Sequence, residues 1–232
     1  MHFPRSLKLS LVLLAAVSFP IHSAAQSSST SSSNSPKRIK KPAPATDSGL
    51  DPGAATNGLY RNKTLAMSCK VPAGWVVRTE EMNARDDDSD QPVTQGQSAP
   101  SKTAKAAPQG RVLLAAFSRP PAAHGEDVNS SILIAAESVA AYPGLKEAAQ
   151  YFEPLTEVAK AQGFVVDEDP YELAMGEKVV VRSDFHKDVG SRVMRQSTLA
   201  FLSHGYAISI TVIGGTEDEV EELIDGIEFA GK

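Results

Sequence analysis

Apolar and polar residues alternate most regularly in the stretch that follows Gly205. Tyr206, Ile208, Ile210 and Val212 take one set of positions, and Ala207, Ser209, Thr211 and Ile213 take the other. That is the two-residue period of a β-strand with one strongly apolar face and one mixed face. Arg192 to Leu202 precedes it as a second extended segment, separated by Ser203-His204-Gly205. Gly205 accepts a positive φ, so a tight hairpin turn is expected there. Lys178 to Asp184 carries Val179, Val180 and Val181 and reads as a third strand. Lys187-Asp188-Val189-Gly190 supplies the turn between them, and the whole predicts an antiparallel meander.

After Ile213 the pattern changes period. Gly214-Gly215 interrupts it, and Thr216 followed by Glu219 has the spacing of a capping box, with Glu219 reaching back to the Thr216 amide. Glu217, Asp218 and Glu219 put negative charge where the helix dipole favours it. Val220, Leu223, Ile224 and Ile227 recur at three and four residues and predict a closing helix with one apolar stripe, in a block that runs to Phe229. A helix on one face of an antiparallel sheet is an α+β layer arrangement.

Upstream, Tyr60-Arg61-Asn62 leads into Leu65, Met67, Cys69 and Val71 on one side of a strand. Pro72-Ala73-Gly74 turns the chain, and Trp75 to Arg78 resumes an extended path, with Trp75 as a lid on the core edge or a ligand platform. Arg111 to Phe117 and Ser130 to Val139 read as two buried strands paired across a long loop. Gly144 to Gly163 is the main helical region, its stripe formed by Ala148, Phe152, Leu155, Val158 and Ala159. Pro154 implies either a kink or a second helix beginning there. Phe164 to Val166 is a short strand, Asp167 to Pro170 a turn, and Tyr171 to Met175 the approach to the meander.

Composition divides the 232 residues into unequal parts. Residues 1–25 have the form of a secretory signal peptide: Arg5 and Lys8, an apolar run from Leu9 to Val17, and Ser23-Ala24-Ala25 as a small-residue cleavage site. The run is shorter than the about 20 residues of a membrane span, so no transmembrane helix is expected in the mature form. Residues 26–58 are rich in serine and proline and read as a disordered linker. Its basic cluster of Lys37, Arg38, Lys40 and Lys41 allows a tether to the envelope as well as a plain solvated spacer. Residues 59–232 form one domain, interrupted by an expected disordered insertion at 83–110. Without the residues before 59, 17 Lys and Arg face 26 Asp and Glu, a net charge of −9, which argues against nucleic acid as a partner.

The chemistry-bearing residues do not assemble into a motif. Cys69 is the lone cysteine, so no disulfide forms within the chain, and its alternating surroundings read as core. Of the five histidines, His124, His186 and His204 lie in the domain, and none has metal-site spacing to another. Asp184, His186 and Asp188 alternate along one edge as a possible ion site, or as ordinary turn residues. The acidic run Arg85 to Asp90 resembles a calcium loop in its alternate oxygens, but the sixth and twelfth positions from Asp86 hold Gln91 and Gln97. Ser118, Ser138 and Ser203 lack the Gly-x-Ser-x-Gly elbow. The helix start after Gly214-Gly215 can hold an anion in principle, but Glu217 to Glu219 oppose one, and capping explains the residues. Of the sequons Asn62-Lys63-Thr64 and Asn129-Ser130-Ser131, the first reads as coincidental. No catalytic, cofactor-binding or metal residue is assigned.

The layout resembles the PsbP/Mog1-like α/β/α sandwich, an antiparallel sheet packed by helices. The resemblance is carried by Tyr60-Arg61-Asn62 into Val71-Pro72-Ala73-Gly74-Trp75, by Gly205-Tyr206 into the last meander strand, and by Thr216 to Phe229. It spans Leu59 to Phe229; the 83–110 insertion and the Ser/Pro tail are departures. The resemblance implies a non-enzymatic adaptor, assembly factor or partner of a membrane complex. The expectation is therefore an exported, periplasmic or secreted, non-catalytic binding or accessory domain of the cell envelope, working through protein–protein contacts with a partner not named by the sequence. The alternatives are a small-ligand or metal-binding domain near Trp75 or Asp184 and Asp188, and then a hydrolytic enzyme.

Overall fold

The computed structural model describes residues 49–89, 110–123, 125 and 127–230, with backbone alone for 85–89. The leader, most of the linker, the bulk of the expected insertion and His124 lie outside the described residues. In chain order the elements are β1 (Ala54–Thr56), β2 (Leu59–Asn62), β3 (Met67–Lys70), β4 (Val76–Val77), α1 (Thr79–Ser89), β5 (Arg111–Phe117) and β6 (Ser131–Ser138). A 3-10 turn (Val139–Ala141) then leads to α2 (Ala148–Ala161), β7 (Val165–Met175), β8 (Lys178–Val189), β9 (Arg192–Ser203), β10 (Tyr206–Gly214), α3 (Glu217–Asp225) and β11 (Ile227–Phe229).

Seven strands form one antiparallel sheet in the order β4-β5-β6-β10-β9-β8-β7, and four form a second in the order β1-β2-β3-β11. The fold is α+β. The alternating stretch noted in the sequence is β10, central in the larger sheet, with Ile208, Ile210 and Val212 fully buried. One face of the large sheet carries the small sheet and α3 through a core that includes Leu114, Ile134, Leu199, Ile210 and Leu223. On the other face α1 packs on β5, and α2 packs across β7, β8 and β9. The layer opposite α1 and α2 is thus shared between one helix and a four-stranded sheet.

The meander is present, with longer strands than expected. β8 continues through Lys187-Asp188 to Val189, and the chain reverses at Gly190, whose φ is 65°. The β9–β10 turn has positive φ at both His204 (51°) and Gly205 (78°), the type I′ geometry whose twist matches the flanking strands. The closing helix is shorter than its apolar stripe implies. It ends at Asp225, and Ile227 is instead in β11, opposite Cys69 of β3. Periodicity could not separate these outcomes, because Ile227 faces the same core in either case.

Other differences have local causes. Residues 60–71 form a hairpin instead of one strand, turned at Lys63 to Ala66, where Ala66 adopts φ 50°. Packed structure is also present before residue 59: Leu50 is buried and β1 pairs with β2. Asn62 is also buried, donating to Asp51 O and accepting from Leu65 N, so the first sequon is a structural asparagine. Asn83 to Ser89 are helical, not the start of an insertion. Asn83 both donates to Val112 O (2.9 Å) and accepts from Val112 N (3.0 Å), while Thr79 accepts from Ala115 N. These bonds pin α1 beside the β-bulge between Val112 and Leu114. Pro154 lies inside a single helix, whose Tyr151, Phe152, Leu155 and Ala159 are buried on both sides of it. Asp167 to Pro170 form no turn. They are the irregular part of β7, an edge strand with register shifts on either side of Glu168, where a proline is tolerated.

One ion cluster ties α3 to the sheet. Arg182 on β8 donates from Nε to both Asp184 oxygens at 3.0 Å and pairs through its terminal nitrogens with Glu221 of α3. Its side chain is 11% exposed. Burial by itself works against the guanidinium charge, but Glu221 and Asp184 outweigh it and raise its pKa. Removing one partner of a buried pair typically costs about 3–5 kcal/mol, and the partial exposure of Glu221 favours the lower end. Arg182→Ala is therefore expected to lower the unfolding free energy by about 3 kcal/mol, against about 1 kcal/mol for the cap variant Thr216→Ala. Urea denaturation measures both, and an Arg182→Ala loss no larger than that of Thr216→Ala would remove the cluster's structural role.

Candidate functional site

The residues singled out in the sequence are dispersed or already engaged. Asp184 accepts from Arg182, Ser197 Oγ (2.6 Å) and Tyr171 OH (3.3 Å), whereas His186 pairs with Asp167 and Asp188 is exposed. Asp184 and Asp188 do not gather around a common point. Among the described residues, no group of three His, Cys, Asp or Glu side chains is placed to hold a metal ion. Trp75 is half-buried on the rim of the main core, and the His204 ring meets Ser203 Oγ in the hairpin turn. Side chains of the acidic run from Arg85 lie outside the described residues.

The Gly214-Gly215 break is a structural junction. Thr216 Oγ1 accepts from the Glu219 amide, and Glu219 reaches back to the Gly215 amide (2.8 Å), one residue earlier than the expected Thr216 amide. A Cβ on Gly214 would stand 3.0 Å from Val220 Cγ2, so glycine permits the close approach of helix and strand.

This junction borders a cavity of about 550 Å³ at the end of the large sheet. Its walls come from the loop between β5 and β6 (Ser118, Arg119, Asp127, Val128, Ser130), the start of β9 (Arg192, Val193) and the start of α3 (Gly215, Thr216, Glu219). Antiparallel order explains the assembly: the end of β5, the start of β6, the start of β9 and the end of β10 all meet at this edge of the sheet.

Most polar groups here are committed to the fold. Ser130 Oγ donates to Glu219, and Ser118 Oγ donates to Asn129 Oδ1. Arg119 donates to the carbonyls of Asp127 and Val128, and Gly125 lies so close to its guanidinium that an added Cβ would overlap it. The Arg192 and Asp127 side chains, both exposed, have no hydrogen-bond or ion-pair partner among the described residues. Among the described residues, the uncommitted charges of the cavity are thus one cation and one anion at its rim. Sequence reasoning named Ser118 only as a failed nucleophile and did not connect 118–130 with 192–193, because nothing in the chain order brings them together.

A second cluster lies on the helix-covered face. Glu137 of β6 is only 5% exposed, although it has no ion-pair partner among the described residues. Tyr142 OH donates to its Oε2. The Tyr151 hydroxyl is buried beside the pair without a well-formed hydrogen bond of its own, and the two tyrosine rings meet edge to face with centroids 5.4 Å apart. Burial raises the Glu137 pKa and outweighs the opposing influence of the Tyr142 hydrogen bond and the nearby Tyr151 hydroxyl. Burial likewise raises both tyrosines, reinforced by the neighbouring carboxyl. The available sequence signal was a single acid inside the apolar run of β6.

No family model and no curated protein matches the sequence. Several solved structures have a similar shape. LpqN, involved in cell envelope biogenesis of Mycobacterium tuberculosis, is 14% identical, over 76% of this chain and 80% of its own, with a TM-score of 0.35. Cyanobacterial PsbP (CyanoP) from Synechocystis sp. PCC 6803 is 13% identical, over 77% and 96%, with a TM-score of 0.41. A Pseudomonas aeruginosa protein of unknown function, a putative regulator by its description, is 17% identical over 44% and 68%, with a TM-score of 0.30. The likeness to PsbP and LpqN is weak and at the level of fold.

Cys69 offers a direct check on the core. It is fully buried, and burial pushes its thiol pKa up to about 12. A neutral, enclosed thiol is a poor nucleophile. Titration of the folded protein with a thiol-reactive disulfide at pH 8 should label no cysteine, and the same titration in denaturant should label one per chain. Stoichiometric labelling of the folded state would contradict this packing.

Proposed function

We propose that this protein is an exported, non-catalytic accessory domain of the cell envelope that acts by contact with a protein partner, docked at the cavity rim. The observation that carries the reading is the division of labour in the cavity. Its carboxylate Glu219, its hydroxyls Ser118 and Ser130, and its Arg119 guanidinium are held in structural hydrogen bonds, while Arg192 and Asp127 at the mouth have no partner among the described residues. A nucleophile needs a base within hydrogen-bonding reach and that base needs an orienting group. Ser130 is instead a donor to the side chain that caps α3. Free charges of opposite sign at a rim set orientation and partner choice.

Export is supported by the leader-like pattern of residues 1–25. No helix among the described residues is long and apolar enough to cross a membrane. The cavity volume also falls within the usual range for small-ligand sites, which keeps a small zwitterionic ligand as the second reading.

Site-specific photocrosslinking in the native envelope tests the contact. A crosslinker at position 192 is expected to capture a discrete protein, whereas one at the exposed Glu153 on α2 is not. Arg192→Glu is expected to weaken capture through a crosslinker at 127 by about tenfold, the effect of losing about 1.4 kcal/mol. Capture that is equal at both positions and indifferent to charge reversal would overturn the reading. Chemical-shift changes around 118–130 on titration with free amino acids, in the absence of any crosslink, would favour the small-ligand reading instead.

A further inference from the structure

We infer that Glu137, Tyr142 and Tyr151 form a proton-operated latch that seats the amino-terminal half of α2 on the large sheet. Glu137 projects from β6 on the face opposite the main core, with Ala207 of β10 directly across from it. Tyr142 follows the 3-10 turn, and Tyr151 comes from α2, packed on Ala200 and Ala207. A Cβ at Gly110 would approach Glu137 Cγ at 3.0 Å, so the chain entering β5 closes the remaining side. The carboxyl is therefore enclosed by four separate parts of the chain.

Among the described residues, the titratable groups that face Glu137 are the two phenols. The 3-10 segment supplies Tyr142, α2 supplies Tyr151, β10 supplies Ala207, and the described part of the approach to β5 supplies Gly110. Arg111 is opposite Ala136 and so belongs to the other face of the sheet. No described cation compensates an ionised Glu137.

Two protonation states make different demands. In the neutral state Tyr142 OH donates to Oε2, and the carboxyl O–H is free to donate to the Tyr151 oxygen, the buried hydroxyl that otherwise lacks a partner. That chain of hydrogen bonds links β6 to α2. Ionisation breaks the carboxyl O–H bond and passes the proton to water, leaving a carboxylate and removing that donor. Both phenols can then donate to the carboxylate, but they do not offset its lost hydration, since burial remains the dominant influence on its proton affinity. Rehydration requires Tyr151 and Tyr142 to move off β6.

The sign follows from proton linkage. A carboxyl whose folded pKa is raised binds more protons folded than unfolded between the two values. Stability from this group is present below the unfolded pKa of about 4.3 and declines as pH rises toward the folded pKa. Local opening of α2 follows the same rule.

Carboxyl NMR combined with amide hydrogen exchange, on the wild-type chain and Glu137→Gln, tests the latch. Glu137 is expected to titrate at higher pH than the about 4.3 of a glutamate in an unfolded chain. Protection of the buried turn around Tyr151 and Phe152, corrected for intrinsic exchange, is expected to fall by up to about tenfold per pH unit within that window. Glu137→Gln keeps a neutral donor and acceptor in place and should hold α2 protection constant across the same range. Tyr151→Phe removes the α2 end of the chain and should reduce the difference in α2 protection between low and high pH. A Glu137 that titrates at the about 4.3 of an unfolded chain would overturn the inference. So would a pH-dependent loss of α2 protection that persists unchanged in Glu137→Gln.

Discussion

Strand β10 is hydrogen-bonded along both edges, to β6 and to β9, and covered on both faces, and the other layers are arranged to keep it so. Ile208, Ile210 and Val212 lie within the core shared with α3 and the small sheet. Ala207 belongs to the opposite cluster beneath α2. A strand with this much apolar side chain on one face cannot be left at an edge, because burying a large aliphatic side chain is worth about 1.5–3 kcal/mol. Its neighbours must therefore be long, and its faces must be roofed.

The roofing depends on polar groups as well as apolar area. Asn83 presents its amide to the backbone of Val112 as another strand would, and this fixes α1 beside the bulge in β5. Arg182 spans from β8 to Glu221 and so sets α3 against the sheet. Glu219 closes the β10–α3 junction by joining Ser130 to the Gly215 amide. The cavity at the sheet end lies beside this last tie, and its rim charges have no partner among the described residues. An accessory role suits a surface whose reactive-looking groups are structural and whose spare groups are oppositely charged and exposed.

Glu137 stands apart from these ties because it has no charged partner among the described residues. Burial without a charged partner raises the proton affinity of Glu137, whereas Arg182 is held charged by the two carboxylates beside it. The fold thus combines an ion-paired anchor for α3 with the inferred protonation-dependent seat for α2. The edge strand β7 is irregular where it carries Asp167, Glu168, Asp169 and Pro170, and these features discourage pairing with another chain along that edge. The β7 edge is accordingly a poor place for strand addition by another chain.

Strands and helices with a strong internal period are legible in the amino-acid sequence alone: the meander from Lys178 to Ile213, the two buried strands at 111–117 and 131–138, and the amphipathic helices around Phe152 and Leu223. In each, neighbouring residues within one element carry the signal. The capping role of Thr216 is legible for the same reason. What the sequence could not decide was whatever depended on a partner far along the chain. Ile227 fits the continuation of a helix as well as the start of a strand, and the backbone edge that β3 offers it makes the choice. Asn83 reads as the start of a loop because its partner, Val112, lies beyond a long intervening segment. Pro170 reads as a turn because only the sheet order shows that β7 is at an edge, where a missing donor is tolerated. The cavity joins loop 118–130 with Arg192 and Glu219, and the Glu137 cluster joins a strand to a helix. A one-dimensional pattern determines which residues seek burial; only the tertiary structure decides which of them meet, because that choice is made by pairing and packing across distances the local period does not record.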